Sequence, residues 1–188
     1  MIIARKKPPD WDALYEIAAT QDGHFATNQA HDAGFSDQLL VKYLHAGRIV
    51  RVRRCVYRIV HFPASEHEDL AVAWLWSERM GVFSHETALS LHSLSDVLPS
   101  VIHMTLPESW RARRLRVPAD ITLYFADVPE DERTWFGSVP VTHPRRTIED
   151  CVKSHVSPEV IHKAIEDSVK RGLIDRKVAR RFRSKTSV

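Results

Sequence analysis

RIVRVRRCVYRI, residues 48–59, places five arginines in twelve positions, threaded through valine, isoleucine and tyrosine. Val50 and Val52 alternate with Arg51 and Arg53, and Tyr57 and Ile59 alternate with Val56 and Arg58. A period of two is the signature of a half-buried strand, so the stretch predicts a two-stranded hairpin with one apolar face. Setting Val52 opposite Tyr57 and Val50 opposite Ile59 makes Arg54-Cys55 the turn and brings Arg51 to face Arg58 on the outer side. Like charges in direct opposition cost on the order of a few tenths of a kcal/mol, a penalty that an external phosphate backbone would reverse. Arginines that merely solubilise the hairpin are the other reading, and the residues upstream must decide.

Those residues are ATNQAHDAGFSDQLLVKYLHAG, 26–47. Thr27 is suited to cap a short helix running through Ala33, and Gly34 breaks it. Ser36 and Asp37 start a second helix whose apolar face is Leu39, Leu40, Tyr43 and Leu44, and Gly47 supplies a left-handed terminus. Further upstream, DWDALYEIAATQDG carries Trp11, Leu14, Ile17 and Ala18 at helical spacing. The order is helix, helix, tight turn, helix, hairpin, the plan of a winged helix-turn-helix. On this plan the third helix exposes Ser36, Asp37, Gln38, Lys42 and His45 to a major groove, with Gln38 the chosen base contact. Thr27, Asn28 and Gln29 open the preceding helix, where the amides would meet a phosphate at its positive end. Arg48, Arg51, Arg53, Arg54 and Arg58 complete the expected DNA-binding set.

Charge along the chain supports a polyanion partner. Residues 1–63 hold nine Lys/Arg against six Asp/Glu, residues 64–143 six against twelve, and residues 144–188 twelve against six. Between Asp37 and Glu66 there is no acid. Such local excess, more than the formal net charge of +3, is an electrostatic footprint for nucleic acid. With 44% hydrophobic and 27% charged residues the 188-residue chain is globular. No apolar run reaches the roughly 18 residues of a membrane span, and the apolar start of MIIARKKPPDW is too short for a signal peptide, so the expected location is the cytosol. Cys55 and Cys151 stand far apart and predict reduced, unpaired thiols.

After Pro63 the character changes. Residues 65–81 and SHETALSLHSLSD read as helices, the second capped by Ser84, while HMTLP and DITLYFADV read as strands. PVTHPRRTIEDCVKS and SPEVIHKAIEDSVKRG put proline at helix starts, with Ser157 capping and Gly172 ending the latter, and a last basic helix begins near Asp175. The expected fold class is α+β: a winged helix-turn-helix over residues 1–63, then an α+β domain with a small sheet over residues 64–188.

Three runs carry a family resemblance across nearly the whole chain: HFATNQAHDAGFSDQLLVKYLHAGRIVRVRRCVYRI, VFSHETALSLHSLSDVLPSVIHMTLP and THPRRTIEDCVKSHVSPEVIHKAIEDSVKRGLI. Together they resemble the AbiEi family of antitoxins. The resemblance implies a type IV toxin–antitoxin regulator whose winged helix binds double-stranded operator DNA and represses its operon. It also implies a C-terminal domain that counteracts an AbiEii-like nucleotidyltransferase toxin without a stable complex. One departure stands out, because the family usually has glycine at the wing turn where this chain has Cys55. A stand-alone repressor, dimerised on a two-fold operator through the C-terminal half, is the alternative.

Enzyme readings find little support, and neither catalytic residue, metal ligand nor cofactor is expected. His85 and His92 lie at seven-residue spacing but belong to no HExxH pattern. Cys151 falls on an apolar helical stripe with Ile148. A metal-dependent nuclease needs an acid-x-lysine triplet, and only Asp175-Arg176-Lys177 fits, at a helix start where alternate residues diverge. Asp120, Asp127, Glu130, Asp131 and Glu132 read as a solvated acidic loop. RRFRSK, residues 180–185, reads either as a solvated tail, slightly favoured, or as a second phosphate contact, and WRARRLR, residues 110–116, as an exposed loop.

Overall fold

The computed structural model describes residues 8–96 and 98–186; the apolar start within residues 1–7 lies outside them. The chain is α+β, and it divides into two compact units between Arg79 and Met80. The sequence reading set that boundary at Pro63, sixteen residues earlier.

In the first unit, α1 (Trp11–Ala19) starts at Asp10, whose side chain accepts from the Ala13 amide at 3.0 Å. It is followed by β1 (His24–Ala26), α2 (Thr27–Asp32), α3 (Asp37–His45), β2 (Ile49–Arg53), β3 (Val56–Ile59) and α4 (Glu68–Trp76). The apolar stripes of α1 and α3 meet over Phe35, whose ring lies 5.6 Å from Trp11 and 5.7 Å from Tyr43. Below them lies an antiparallel sheet of order β1-β3-β2, and Leu14, Phe25, Leu40, Ile49, Tyr57 and Ile59 fill the core between.

The hairpin exists with Arg54-Cys55 as its turn, but its register differs from expectation by one residue. Ile49 pairs with Ile59, Val50 with Arg58 and Arg51 with Tyr57; a bulge at Val52 then brings Arg53 opposite Val56. Burying Ile49 against Ile59 sets this register, because a one-residue slip of β2 would turn Ile49 to solvent. Two consequences overturn the sequence reading: Val50 and Val52 are 43% and 42% exposed, and Arg58 does not face Arg51. Strand β1 was not foreseen. It places His24 beside Arg58 and Phe25 beside Tyr57. The turn into β1 requires Gly23, at φ 79°, where an added Cβ would sit 2.5 Å from the Phe62 ring.

Helix α4 lies against the three strands. A sheet with helices on one face leaves its other face wet, and Leu70, Ala71, Ala73 and Leu75 of α4 are buried. Arg58 points to this side, donating to the Phe62 carbonyl at 2.9 Å and to Glu68 at 3.0 Å, while the Ser65 amide donates to the same Glu68 oxygen. The segment from Phe62 to Ser65 is thereby fastened to the sheet.

The second unit runs β4 (Val82–Phe83), α5 (His85–Leu91), β5 (Ile102–Leu106), β6 (Ile121–Phe125), β7 (Arg133–Phe136), β8 (Val139–Thr142), α6 (Pro144–Lys153), α7 (Pro158–Lys170) and α8 (Arg176–Thr186). Its five strands form one mixed sheet in the order β6-β5-β4-β8-β7. Every residue of β5 and β8 is buried, as strands covered on both faces must be. Leu89, Ile148, Cys151, Ile161, Ile165 and Phe182 share the core of the helical part. Phe182 and Ala179 anchor α8 there, so RRFRSK belongs to a packed helix and not to a tail.

Candidate nucleic-acid interface

Helix α3 is capped by Ser36, whose hydroxyl accepts from the Leu39 amide at 3.3 Å. With Leu40 buried and Leu39, Tyr43 and Leu44 packed on the core, the face left to solvent is Gln38, Val41, Lys42 and His45. Their spacing of three and four makes one continuous stripe. Val41, 49% exposed, is the member that sequence reasoning missed. Its signal was present, because it falls off the stripe defined by Leu40 and Leu44. Asp37 at the head of this face is held by His31 at 2.8 Å, while the polar ends of Gln38 and Lys42 are turned outward.

The other expected contacts divide sharply. Asn28, Arg48, Arg51 and Arg54 are exposed, with the Arg48 guanidinium 5.5 Å from the centre of the Tyr43 ring. Thr27 is not a cap: it begins α2, and its amide donates to the Cys55 carbonyl at 3.0 Å, tying α2 to the hairpin turn. Gln29 is 6% exposed and faces inward. Its carbonyl accepts from the Ala26 amide at 2.9 Å, and its amide donates to Gln21 at 3.0 Å, so it holds the start of α2 instead of meeting solvent. Arg53 is half-buried, because the bulge swings it to the face that carries Val56. Arg58 is committed to Glu68 and to three backbone carbonyls. Of the cations expected to meet DNA, the exposed ones are therefore Lys42, Arg48, Arg51 and Arg54, a smaller set than the sequence suggested.

Cys55 sits at φ 61°, the left-handed backbone that the turn demands. A side chain costs about 1 kcal/mol there, against somewhat less for glycine's extra freedom when unfolded. Cys55→Gly should leave stability unchanged or raise it by up to about 1 kcal/mol, read as the urea midpoint at constant slope.

The second unit holds a buried polar cluster. Ser84, expected to cap α5, makes no cap bond with its side chain; it accepts from Thr105 at 2.7 Å and meets His85 Nδ1 at 2.9 Å. His85 stacks on Tyr124 with ring centres 3.5 Å apart, and the Tyr124 hydroxyl lies 3.1 Å from His103 Nδ1. Burial, reinforced by the charges of His103 and Arg146, pushes the His85 pKa down to about 3. His92 is engaged elsewhere, with Nε2 2.8 Å from the Thr142 carbonyl, so the two histidines do not converge. Cys151 is buried, which drives its thiol pKa far up. Asp175 of the Asp-Arg-Lys triplet accepts from the Val178 amide at 2.7 Å and caps α8. WRARRLR lies outside regular strands, with Arg111 paired to Glu108 and the Arg113 guanidinium 3.7 Å from the Trp110 ring.

Among the described residues no helix is long and apolar enough to cross a membrane. No family model matches the chain, and no curated protein matches it. Among solved structures, the RV2827C protein from Mycobacterium tuberculosis is similar at a TM-score of 0.48 and 13% identity, over 97% of this chain and 83% of that one.

Proposed function

We propose that the first unit is a winged helix-turn-helix that binds double-stranded operator DNA, with α3 in the major groove and the β2–β3 hairpin as the wing. The observation that carries this reading is the solvent stripe of Gln38, Val41, Lys42 and His45 beside a hairpin that exposes Arg51 and Arg54. Gln38 has the amide that pairs with adenine, and Val41 has the methyls that suit a thymine methyl group. Lys42, Arg48, Arg51 and Arg54 are point charges for phosphates, which fix position without reading sequence. Exposed Val50 and Val52 between those arginines suit the sugar walls of a groove.

The resemblance to AbiEi antitoxins supports the wider role. On this reading the protein represses its own operon through the first unit, and the second unit counteracts a nucleotidyltransferase toxin.

Two substitutions test the placement of α3. Gln38→Ala should reduce preference for operator over random duplex by roughly 1–3 kcal/mol with random-sequence affinity nearly intact. Lys42→Ala should weaken both alike and lower the salt slope by about one. Equal losses on both duplexes from both variants, measured by anisotropy, would remove α3 from the groove. The wider role is tested by growth: full-length protein carrying Arg51→Ala and Arg54→Ala should lose promoter repression yet still rescue cells expressing the toxin. Failure to rescue by a folded, abundant variant counts against separate tasks.

A further inference from the structure

Asp37 is the one carboxylate of the chain between Asp32 and Glu66, and it stands in the first turn of α3, the helix assigned above to the major groove. Val41, one turn further on, continues the same exposed face. An acid at a helix start is commonplace, because the helix dipole favours it. That role asks only for the charge, and a carboxylate free to rotate would serve it. Asp37 is instead held in place. His31 of α2 sets its Nε2 at 2.8 Å from Asp37 Oδ1, across the turn that joins the two helices. An ionised carboxylate only accepts, so the imidazole donates from Nε2. Both side chains stay open to solvent, so the pair fills no core. The imidazole occupies Oδ1, while Oδ2 makes no hydrogen bond among the described residues.

A carboxylate facing duplex DNA has few tolerable positions. Phosphates repel it, and so do guanine N7 and O6 and thymine O4, which are acceptors themselves. An exocyclic amine is the major-groove group from which it accepts. Cytosine and adenine each present one. Adenine sets the N7 lone pair beside its amine, whereas cytosine sets a carbon there, so a carboxylate favours cytosine. The adjacent Gln38 carries both the donor and the acceptor that adenine asks for, without the charge. The two neighbours thus suit different bases.

We propose that Asp37, oriented by His31, is a specificity-determining residue that selects cytosine through its N4 amine and penalises the other three bases at that position. This role rests on the placement of α3 in the groove, and adds to it a base and the residue that reads it. His31 touches no base and is a positioning residue.

The test uses the full chain and a library of duplexes of about 30 base pairs with a randomised centre. Bound duplexes are recovered and sequenced for the parent and for each variant. The parent should enrich cytosine at one position of its site. Asp37→Ala should lower that preference by about tenfold and bind random duplex more tightly, since a repulsion is removed. Asp37→Asn should turn the same position to adenine, whose N6 and N7 suit an amide. The position read by Gln38 should keep its base in both. His31→Ala should blur the cytosine position, and His31→Gln, whose amide still donates to Oδ1, should restore most of it. An unchanged cytosine preference in Asp37→Ala overturns the proposal. Equal fading of every position does so too, since it marks a role in the stability of α3 alone. If Gln38→Ala alters one position and Asp37→Ala none, α3 keeps its place in the groove and this role for Asp37 falls. If the parent enriches no base, both fall together.

Discussion

Acidification from pH 6.5 to 4.5 should cost the second unit about 2 kcal/mol through His85 alone. An unfolded imidazole takes up a proton as the pH falls through about 6.5, whereas the folded His85, pushed down to about 3 by burial and by the charges of His103 and Arg146, does not. Its contribution is complete above pH 6.5 and drains at about 1.4 kcal/mol per unit of pH until the folded group itself titrates. His92 and His103 add to the slope, since burial lowers both, although the Thr142 carbonyl and Glu86 respectively hold part of it back. Asp150 opposes them in the carboxylate range: burial raises its pKa despite the hydrogen bonds from Arg146, so the folded state takes that proton first. Urea unfolding at half-unit steps of pH reads the slope. His85→Asn is the control, because asparagine tolerates the φ of 52° found there and does not titrate, so the slope should fall by one histidine's share. An unchanged slope would place the titrating groups elsewhere.

Arg58→Ala should destabilise the first unit by about 2–4 kcal/mol, while Arg51→Ala should stay within about 0.5 kcal/mol. Both belong to the same run of arginines, yet the Arg58 side chain is 15% exposed and bonded to Glu68, whereas Arg51 is open to solvent. Truncation leaves Glu68 unpaired at 29% exposure and strips the Phe62 carbonyl of its donor. Arg58→Lys restores the charge but not the fork, whose Nη2 donates to Phe62 and Glu68 and whose Nη1 donates to the Ile59 and Val60 carbonyls, and should recover part of the loss. Measured on the folded fraction, the salt dependence of DNA binding should be unchanged in Arg58→Ala. A drop of one unit would mean that the residue reaches phosphate after all.

These two arginines mark where the sequence was legible. The helices were visible because Trp11, Leu14 and Ala18, then Leu40 and Leu44, repeat at three and four, and glycine at 34 and 47 punctuates them. The hairpin turn was also visible. Its register was not, because the alternation of valine and arginine satisfies two pairings equally, and the arbiter is Ile49, which sits just outside the alternating run. Strand β1 is three residues long, too short to show a period, and without it Arg58 had no inward neighbour. The boundary at Pro63 followed a change of composition. The fold instead needs α4 on the far face of the sheet, a demand of the third dimension that no local pattern announces. In the second unit, Ser84 has the residue type and place of a cap, but the neighbouring strand offers it Thr105 and the buried imidazole of His85. Gln29 failed as a contact for a related reason: an amide at the third position of a helix can turn back to the chain before it.

The exposed valines of β2 carry a further consequence. This strand is the edge of its sheet, and an edge with apolar side chains and open backbone groups invites a second chain to pair with it. Arg51 and Arg54 beside Val50 and Val52 act as gatekeepers, since two copies cannot align these strands without bringing their cations together. The same residues thus serve solubility when no partner is present, and neutralising them removes that protection along with any contact they make. Aggregation on concentration is the hazard to watch in wing variants, and the bulge at Val52, which bends the edge away from a flat template, is what remains to oppose it.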